Sequence, residues 1–305
     1  MNQPVLLLLL GSILAGAGGE FFVRGLVNLS VWWRVAPGIV AATVAAFATS
    51  APEMSVAVNT AVVGRPEIAL GDVLGSNVVN IGLILGIALV FAAITVDGGT
   101  VVREYPAAVA APVLVGLLAL DGRLGPIDGL VLLVVFAVWM AQSAIAARRI
   151  RAATGHAPLA RSRVSVIANL AAGLVLLIAA GRVILAAALG FSAALGWDGF
   201  VVGAALVDLG TSAPELATVV IARVRGHDEV AVGTLLGSNI FNTLLIVGTA
   251  AIIHPIRIDS FETDVGVVAS ATLVLLIIPV AGRLARWRSL PLLGSYLVVL
   301  ALLAS

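Results

Sequence analysis

Ala46-Phe47-Ala48-Thr49-Ser50-Ala51-Pro52-Glu53, followed by Gly75-Ser76-Asn77-Val78-Val79-Asn80, is the stretch that decides how this chain folds, because it occurs twice. The second copy is Asp208-Leu209-Gly210-Thr211-Ser212-Ala213-Pro214-Glu215, followed by Gly237-Ser238-Asn239-Ile240-Phe241-Asn242. One offset, 211 − 49 = 162, superposes the copies without a gap. Thr49, Glu53, Gly64, Ser76 and Asn80 then fall on Thr211, Glu215, Gly226, Ser238 and Asn242. The shared residues include acids, hydroxyls and amides, so a common apolar bias does not explain the match. The chain is read as a duplication.

The surroundings of both copies are apolar. The chain is 61% hydrophobic and 11% charged, with a mean hydropathy of +1.16, whereas a soluble domain carries about 25% charged residues. This is a polytopic, all-α membrane protein. A spanning helix needs about 20 apolar residues, so the length allows about ten. Spans are expected near 4–23, 37–62, 68–94, 105–120, 126–147, 164–187, 199–222, 230–253, 266–281 and 289–304. Met1-Asn2-Gln3-Pro4 lacks the basic start of a signal peptide, and the apolar run continues to Gly19, so this segment reads as the first span. No soluble domain of useful size is expected.

The basic residues are all arginines, and they set the orientation. The most polar stretch, 148–163, holds Arg148, Arg149, Arg151, Arg161 and Arg163 and divides a first repeat, 1–147, from a second, 164–305. With this linker in the cytoplasm, the cytoplasmic side holds Arg24, Arg34, Arg103, these five, Arg223, Arg225, Arg283, Arg286 and Arg288; the outside holds Arg65, Arg123 and Arg257. Cytoplasmic loops are enriched in arginine, so both termini are expected outside. Five spans then separate equivalent helices, which makes the halves inverted repeats, a common plan for secondary transporters.

Ala46, Thr49, Ser50 and Glu53 lie at i, i+3, i+4 and i+7 and share one helix face. Asp208, Thr211, Ser212 and Glu215 repeat the pattern; Asp72, Ser76 and Asn80 follow on the third span, and Ser238 and Asn242 on the eighth. Pro52 and Pro214 remove one helical N–H each, freeing the carbonyls of Ala48 and Gly210. Inside a bilayer such carbonyls need new partners, and a cation supplies one. Carboxylates, hydroxyls, amides and carbonyls are hard ligands suited to calcium and sodium. An acid inside a membrane is functional by default, and two at equivalent positions strengthen that reading. Asp72 has Thr234 as its equivalent and is as readily a solvated acid. Asn77 and Asn239 are expected to hold helices together. Gly71/Gly75 and Gly233/Gly237 would let the third and eighth spans approach their neighbours. Glu20 maps to Arg182, which allows a pair between the first and sixth spans.

The chain has no cysteine, which excludes disulfides and thiolate sites. His156, His227 and His254 fall in or beside loops, against a histidine-rich metal site. Without an intramembrane histidine or cysteine, an intramembrane hydrolase lacks its base. Neither an enzyme, a cofactor nor a nucleic-acid partner is expected.

At Thr49-Ser50-Ala51-Pro52-Glu53 with Gly75-Ser76-Asn77, and again at Thr211-Ser212-Ala213-Pro214-Glu215 with Gly237-Ser238-Asn239, the chain resembles the cation/calcium exchanger superfamily, in particular prokaryotic sodium/calcium antiporters. The resemblance implies electrogenic exchange of calcium for sodium by alternating access, with the first and sixth helices sliding across a fixed core. It carries the ligand role to Thr49, Ser50, Glu53, Ser76, Asn80, Thr211, Ser212, Glu215 and Ser238. Some members have an acid where this chain has Asn242, and position 208 is usually small or apolar; Asp208 is therefore expected to supply a further carboxylate. The rival reading is a proton/calcium antiporter or one for another divalent cation, since protons compete for carboxylates in a dry site. The expected setting is a prokaryotic plasma (inner) membrane, with the chain acting as a monomer in the lipid bilayer.

Overall fold

The computed structural model describes residues 2–153, 162–195, 212–258 and 261–303. Helix α1 spans Asn2–Trp33, and α2, Pro37–Thr49, is followed at a bend of 47° by α3, Ala51–Val62. Next come α4, Pro66–Phe91, the short strand β1, Ile94–Thr95, and α5, Gly98–Leu118. Strand β2, Arg123–Leu124, leads to α6, Pro126–Ala153, and α7 covers Arg163–Leu195. The second half continues with α8, Ala213–Val224, α9, Asp228–Ile253, and β3, Ile256–Arg257. It closes with α10, Phe261–Leu276, β4, Arg283–Leu284, and α11, Ser289–Leu303. Among the described residues six helices are long and apolar enough to cross a bilayer, or seven if α2 and α3 form one span.

Local chemistry explains where these helices differ from the expected spans. Helix α5 begins at Gly98 rather than near 105 because the Asp97 carboxylate caps it, accepting the Gly99 and Thr100 N–H groups at 2.8 and 3.0 Å. Helix α10 ends at Leu276 rather than near 281. Pro279 follows, and the residue before a proline disfavours helix. The Arg288 guanidinium then takes the freed carbonyls of Leu276 and Ile278 at 2.9 and 2.5 Å. Gly64 and Gly226, equivalent in the two copies, end α3 and α8 with φ of 79° and 75°, a region that an L side chain seldom occupies.

The core lies where α4 and α9 cross the α2–α3 pair. Within their most apolar windows, α4 and α9 are 78% and 94% buried, against 22% and 28% for α1 and α7. The outer two are instead packed on each other through glycines. A Cβ on Gly173 would lie 2.5 Å from the Phe22 nitrogen, and one on Gly18 would lie 2.9 Å from the Leu177 nitrogen. Helix α6 meets α9 equally closely, since a Cβ on Gly129 would stand 2.6 Å from the Gly248 carbonyl oxygen. Phe136 and Phe241 pack edge to face at 4.9 Å across the same contact.

The backbone repeats with the sequence. Ser50 and Ser212 precede α3 and α8 with φ, ψ of −83°, 8° and −82°, 5°. Helix α4 widens to a π-helix over Val79–Leu85 and α9 over Phe241–Ile246. The strands follow suit: 256 − 94 = 162 relates β3 to β1, and 283 − 123 = 160 relates β4 to β2. β1 pairs with β4, matching Ile94 to Leu284, and β2 pairs with β3, matching Leu124 to Ile256. Each ribbon therefore ties one half of the chain to the other.

Candidate cation site

The bend at Ser50 changes how the first motif reaches the core. Thr49 closes α2 and Glu53 sits in the first turn of α3, so Thr49, Ser50 and Glu53 do not ride on one unbroken helix as the sequence pattern predicts. Pro52 causes the break by lacking the N–H that the Ala48 carbonyl would need. The break nevertheless keeps all the side chains inside: Thr49 is 0%, Ser50 3% and Glu53 1% exposed. Ser212, just before α8, and Glu215, in its first turn, are likewise buried, each 1% exposed. Thr211 and Asp208 lie outside the described residues.

Helices α4 and α9 supply the remaining residues. Ser76 and Asn80 from α4, and Ser238 and Asn242 from α9, are all buried. Thr49 Oγ1 and Ser238 Oγ lie 3.4 Å apart, and both hydroxyls face the Glu215 carboxylate. Thr49 Oγ1 also lies 3.1 Å from the Ala45 carbonyl, a second acceptor for its hydroxyl. The close approach of α9 is made by glycine. A Cβ on Gly237 would stand 2.3 Å from the Ala42 carbonyl oxygen, and one on Gly233 would stand 2.6 Å from the Gly38 carbonyl oxygen. The expected role of these two glycines is realised, whereas Gly71 meets no described neighbour.

Among the described residues, Ser50 Oγ, Ser76 Oγ, Asn80 Oδ1, Ser212 Oγ, Glu215 Oε2 and Asn242 Oδ1 are buried without a hydrogen-bond partner. Buried polar atoms are nearly always paired. Six acceptor-capable oxygens gathered at one crossing, with two carboxylates among the residues there, suit a positively charged ligand. Among the described residues no cluster of three or more His, Cys, Asp or Glu side chains occurs.

Asn77 and Asn239, expected to hold helices together, join α4 to α9 in a network that includes Asn80 and Asn242. Asn80 Nδ2 donates to Asn239 Oδ1 at 3.0 Å, Asn239 Nδ2 to the Asn77 carbonyl at 3.3 Å, and Asn242 Nδ2 to Asn77 Oδ1 at 3.4 Å. Thr243, which accepts from Asn77 Nδ2 at 2.7 Å, was not identifiable from the repeat because its equivalent is Ile81. Its position four residues after Asn239 was the available signal. The π-helical widening that carries Asn80 and Asn242 also had no sequence signature; such segments concentrate at functional sites. Asp72 is half-buried one turn before Ser76, with Oδ2 unpartnered. Glu20 pairs with Arg24 and with Arg225, the latter at 2.6 Å, and not with Arg182. Arg182 instead lines a cavity of about 420 Å³ that also touches Ala51, Pro52, Ser55 and Pro214, at the starts of α3 and α8.

The chain is similar to known proteins over nearly its whole length. A family model described as sodium/calcium exchanger protein matches residues 3–144 and 165–304. The putative antiporter CaxA of Alkalimonas amylolytica is 30% identical, over 94% of this chain and 93% of its own length. The inner membrane protein YrbG of Escherichia coli is also 30% identical, over 97% of this chain and 95% of its own. Among solved structures, the sodium-calcium exchanger NCX_Mj, soaked with sodium and strontium, superposes with a TM-score of 0.82 at 26% identity, covering 98% of both chains.

Proposed function

The chain belongs to the sodium/calcium exchanger family, and on that premise we propose that it exchanges calcium for sodium across the membrane by alternating access, through one cation pocket. The ligands are Thr49, Ser50, Glu53, Ser76, Asn80, Ser212, Glu215, Ser238 and Asn242, completed by Thr211 from its equivalence to Thr49 and by Asp208 from its position seven residues before Glu215. The observation that carries this reading is the gathering of unpartnered buried oxygens around the two acids. Two carboxylates balance the charge of one calcium ion, and calcium favours about six to eight flexible oxygen ligands. Sodium accepts the same oxygens with less charge, so the two ions compete for one site.

The proposal includes ten spans in inverted repeats, 1–147 and 164–305, with both termini outside. The ribbons support it. One span, α5, separates β1 from β2, so the two ribbons lie at opposite faces of the membrane. Helix α4 leads to the first ribbon and its equivalent α9 to the second, which requires equivalent helices to run in opposite directions. Arg163 stacked on Trp32 at 5.4 Å joins two ends assigned to the cytoplasm. The peripheral, mutually packed α1 and α7 suit a pair that moves as a unit against the core.

Calcium uptake into proteoliposomes under imposed sodium, potassium or proton gradients tests the coupling. Sodium-driven uptake is expected. Uptake driven by protons alone would favour the rival reading, which the ion-neutral name of the CaxA relative leaves open. Glu53→Gln and Glu215→Gln keep shape and remove charge. Each should lower flux at least about a hundredfold in a monodisperse protein, the scale of removing one charge from a buried ionic site. Near-parental flux in either would remove that residue from the pocket.

A further inference from the structure

We infer that Asn239 is a positioning residue that holds Asn80 with its amide oxygen, not its NH2 group, toward the cation; this rests on the reading of Asn80 as a ligand. The two ends of an asparagine amide are nearly equal in size, so packing alone cannot tell them apart. Only the polarity of their hydrogen bonds can.

That polarity starts at a backbone carbonyl. The Asn77 carbonyl can only accept, and it accepts from Asn239 Nδ2 at 3.3 Å. Asn239 must therefore present Oδ1 on its other side, where it accepts from Asn80 Nδ2 at 3.0 Å. Asn80 is left with Oδ1 turned away from Asn239, buried and without a donor. Asn80 is 1% and Asn239 3% exposed, so water does not relax this order. A reversed Asn80 amide would set its Nδ2 against the cation and oxygen against oxygen at Asn239. The repeat makes the same pair a second time, since Asn242 Nδ2 donates to Asn77 Oδ1 at 3.4 Å and leaves Asn242 Oδ1 unpartnered. There the chain of polarity ends at the Thr243 hydroxyl, 2.7 Å from Asn77 Nδ2. A hydroxyl both donates and accepts, so it does not impose a direction as a carbonyl does. Asn239 is the firmer of the two guides.

The test measures calcium affinity by titration of the purified protein, with exchange rates in proteoliposomes alongside. Asn80→Ala comes first: an unchanged affinity would remove Asn80 from the site and overturn the ligand reading, and this inference with it. Given a loss there, Asn239→Leu, close to isosteric, should weaken calcium binding about tenfold or more, as expected when a buried polar partner is removed. In an Asn80→Asp background the same change should cost less than about threefold, because a carboxylate shows oxygen whichever way it turns. Equal losses in both backgrounds would reduce Asn239 to packing, and an unchanged affinity in Asn239→Leu would overturn the inference directly. If the leucine variant aggregates, Asn239→Ala carries the same comparison.

Discussion

At Thr49 one hydroxyl has two acceptors. Its proton can go to the Ala45 carbonyl at 3.1 Å or to the Glu215 carboxylate, and Ser238 Oγ stands 3.4 Å away. Glu53 and Glu215 are buried, as are Asn80 and Asn242, whose amides would offer the proposed pocket oxygen without charge. Asp208 precedes Glu215 by seven residues and would add a third carboxylate. Two acids match one calcium ion; a third matches additional sodium or carries a proton. Asp208→Asn is expected to raise half-saturating sodium severalfold or to alter the pH profile of exchange, read as calcium flux against sodium concentration and pH. If calcium affinity, sodium dependence and pH profile all match the parent, Asp208 is only a solvated acid near the pocket.

At the scale of elements, glycine sets the distances that the site needs. Helix α9 approaches α2 so closely that a Cβ on Gly237 would lie 2.3 Å from the Ala42 carbonyl oxygen and 2.6 Å from its Cα. These are backbone atoms on a helix and cannot turn aside. Gly237→Ala is therefore expected to cost about 2 kcal/mol or more by overpacking, seen as a lower unfolding temperature in detergent. Gly71→Ala, where no described neighbour stands within 4 Å, is the matched control and should leave that temperature unchanged. The ends of the helices are less symmetric than their middles. The half-buried Arg223 bonds Asp228 and the carbonyls of Ala92 and Ala93 at 3.1 and 3.3 Å, while Asp228 accepts from Thr95 N and Oγ1 at 2.7 and 2.9 Å. The residues 162 positions away from Arg223 and Asp228 are Ala61 and Pro66, so the other copy has no such tie. The α8–α9 turn is thus fastened to the end of α4 at one face alone.

At the scale of the whole molecule, the two ribbons and the arginine distribution point to one arrangement in the membrane. Arg123 and Arg257 share a ribbon, and both belong to the arginine-poor side; Arg283 belongs to the other ribbon, on the arginine-rich side. The 148–163 linker is expected in the cytoplasm. Single cysteines introduced into this cysteine-free chain at Thr154 and at Gly122 allow a direct check with an impermeant thiol reagent on intact cells. Labelling at 122 and not at 154 is the expected outcome; the reverse pattern would invert the topology.

The amino-acid sequence by itself determined the solvent, the duplication and the chemistry. Apolar composition requires a bilayer, a constant offset of 162 marks the repeat, and Thr-Ser-Ala-Pro-Glu carries both the acids and the prolines that break their helices. Those features are local and therefore legible along the chain. Tertiary structure alone decided that the break falls at Ser50, that Asn80 and Asn242 ride on π-helical turns, and that Glu20 meets Arg225 rather than Arg182. It also made Asn77 and Asn239 the partners of Asn242 and Asn80, a relation between residues more than 150 positions apart. Hydrogen-bond direction depends on which groups face each other across the crossing of α4 and α9, and no spacing within one helix carries that information.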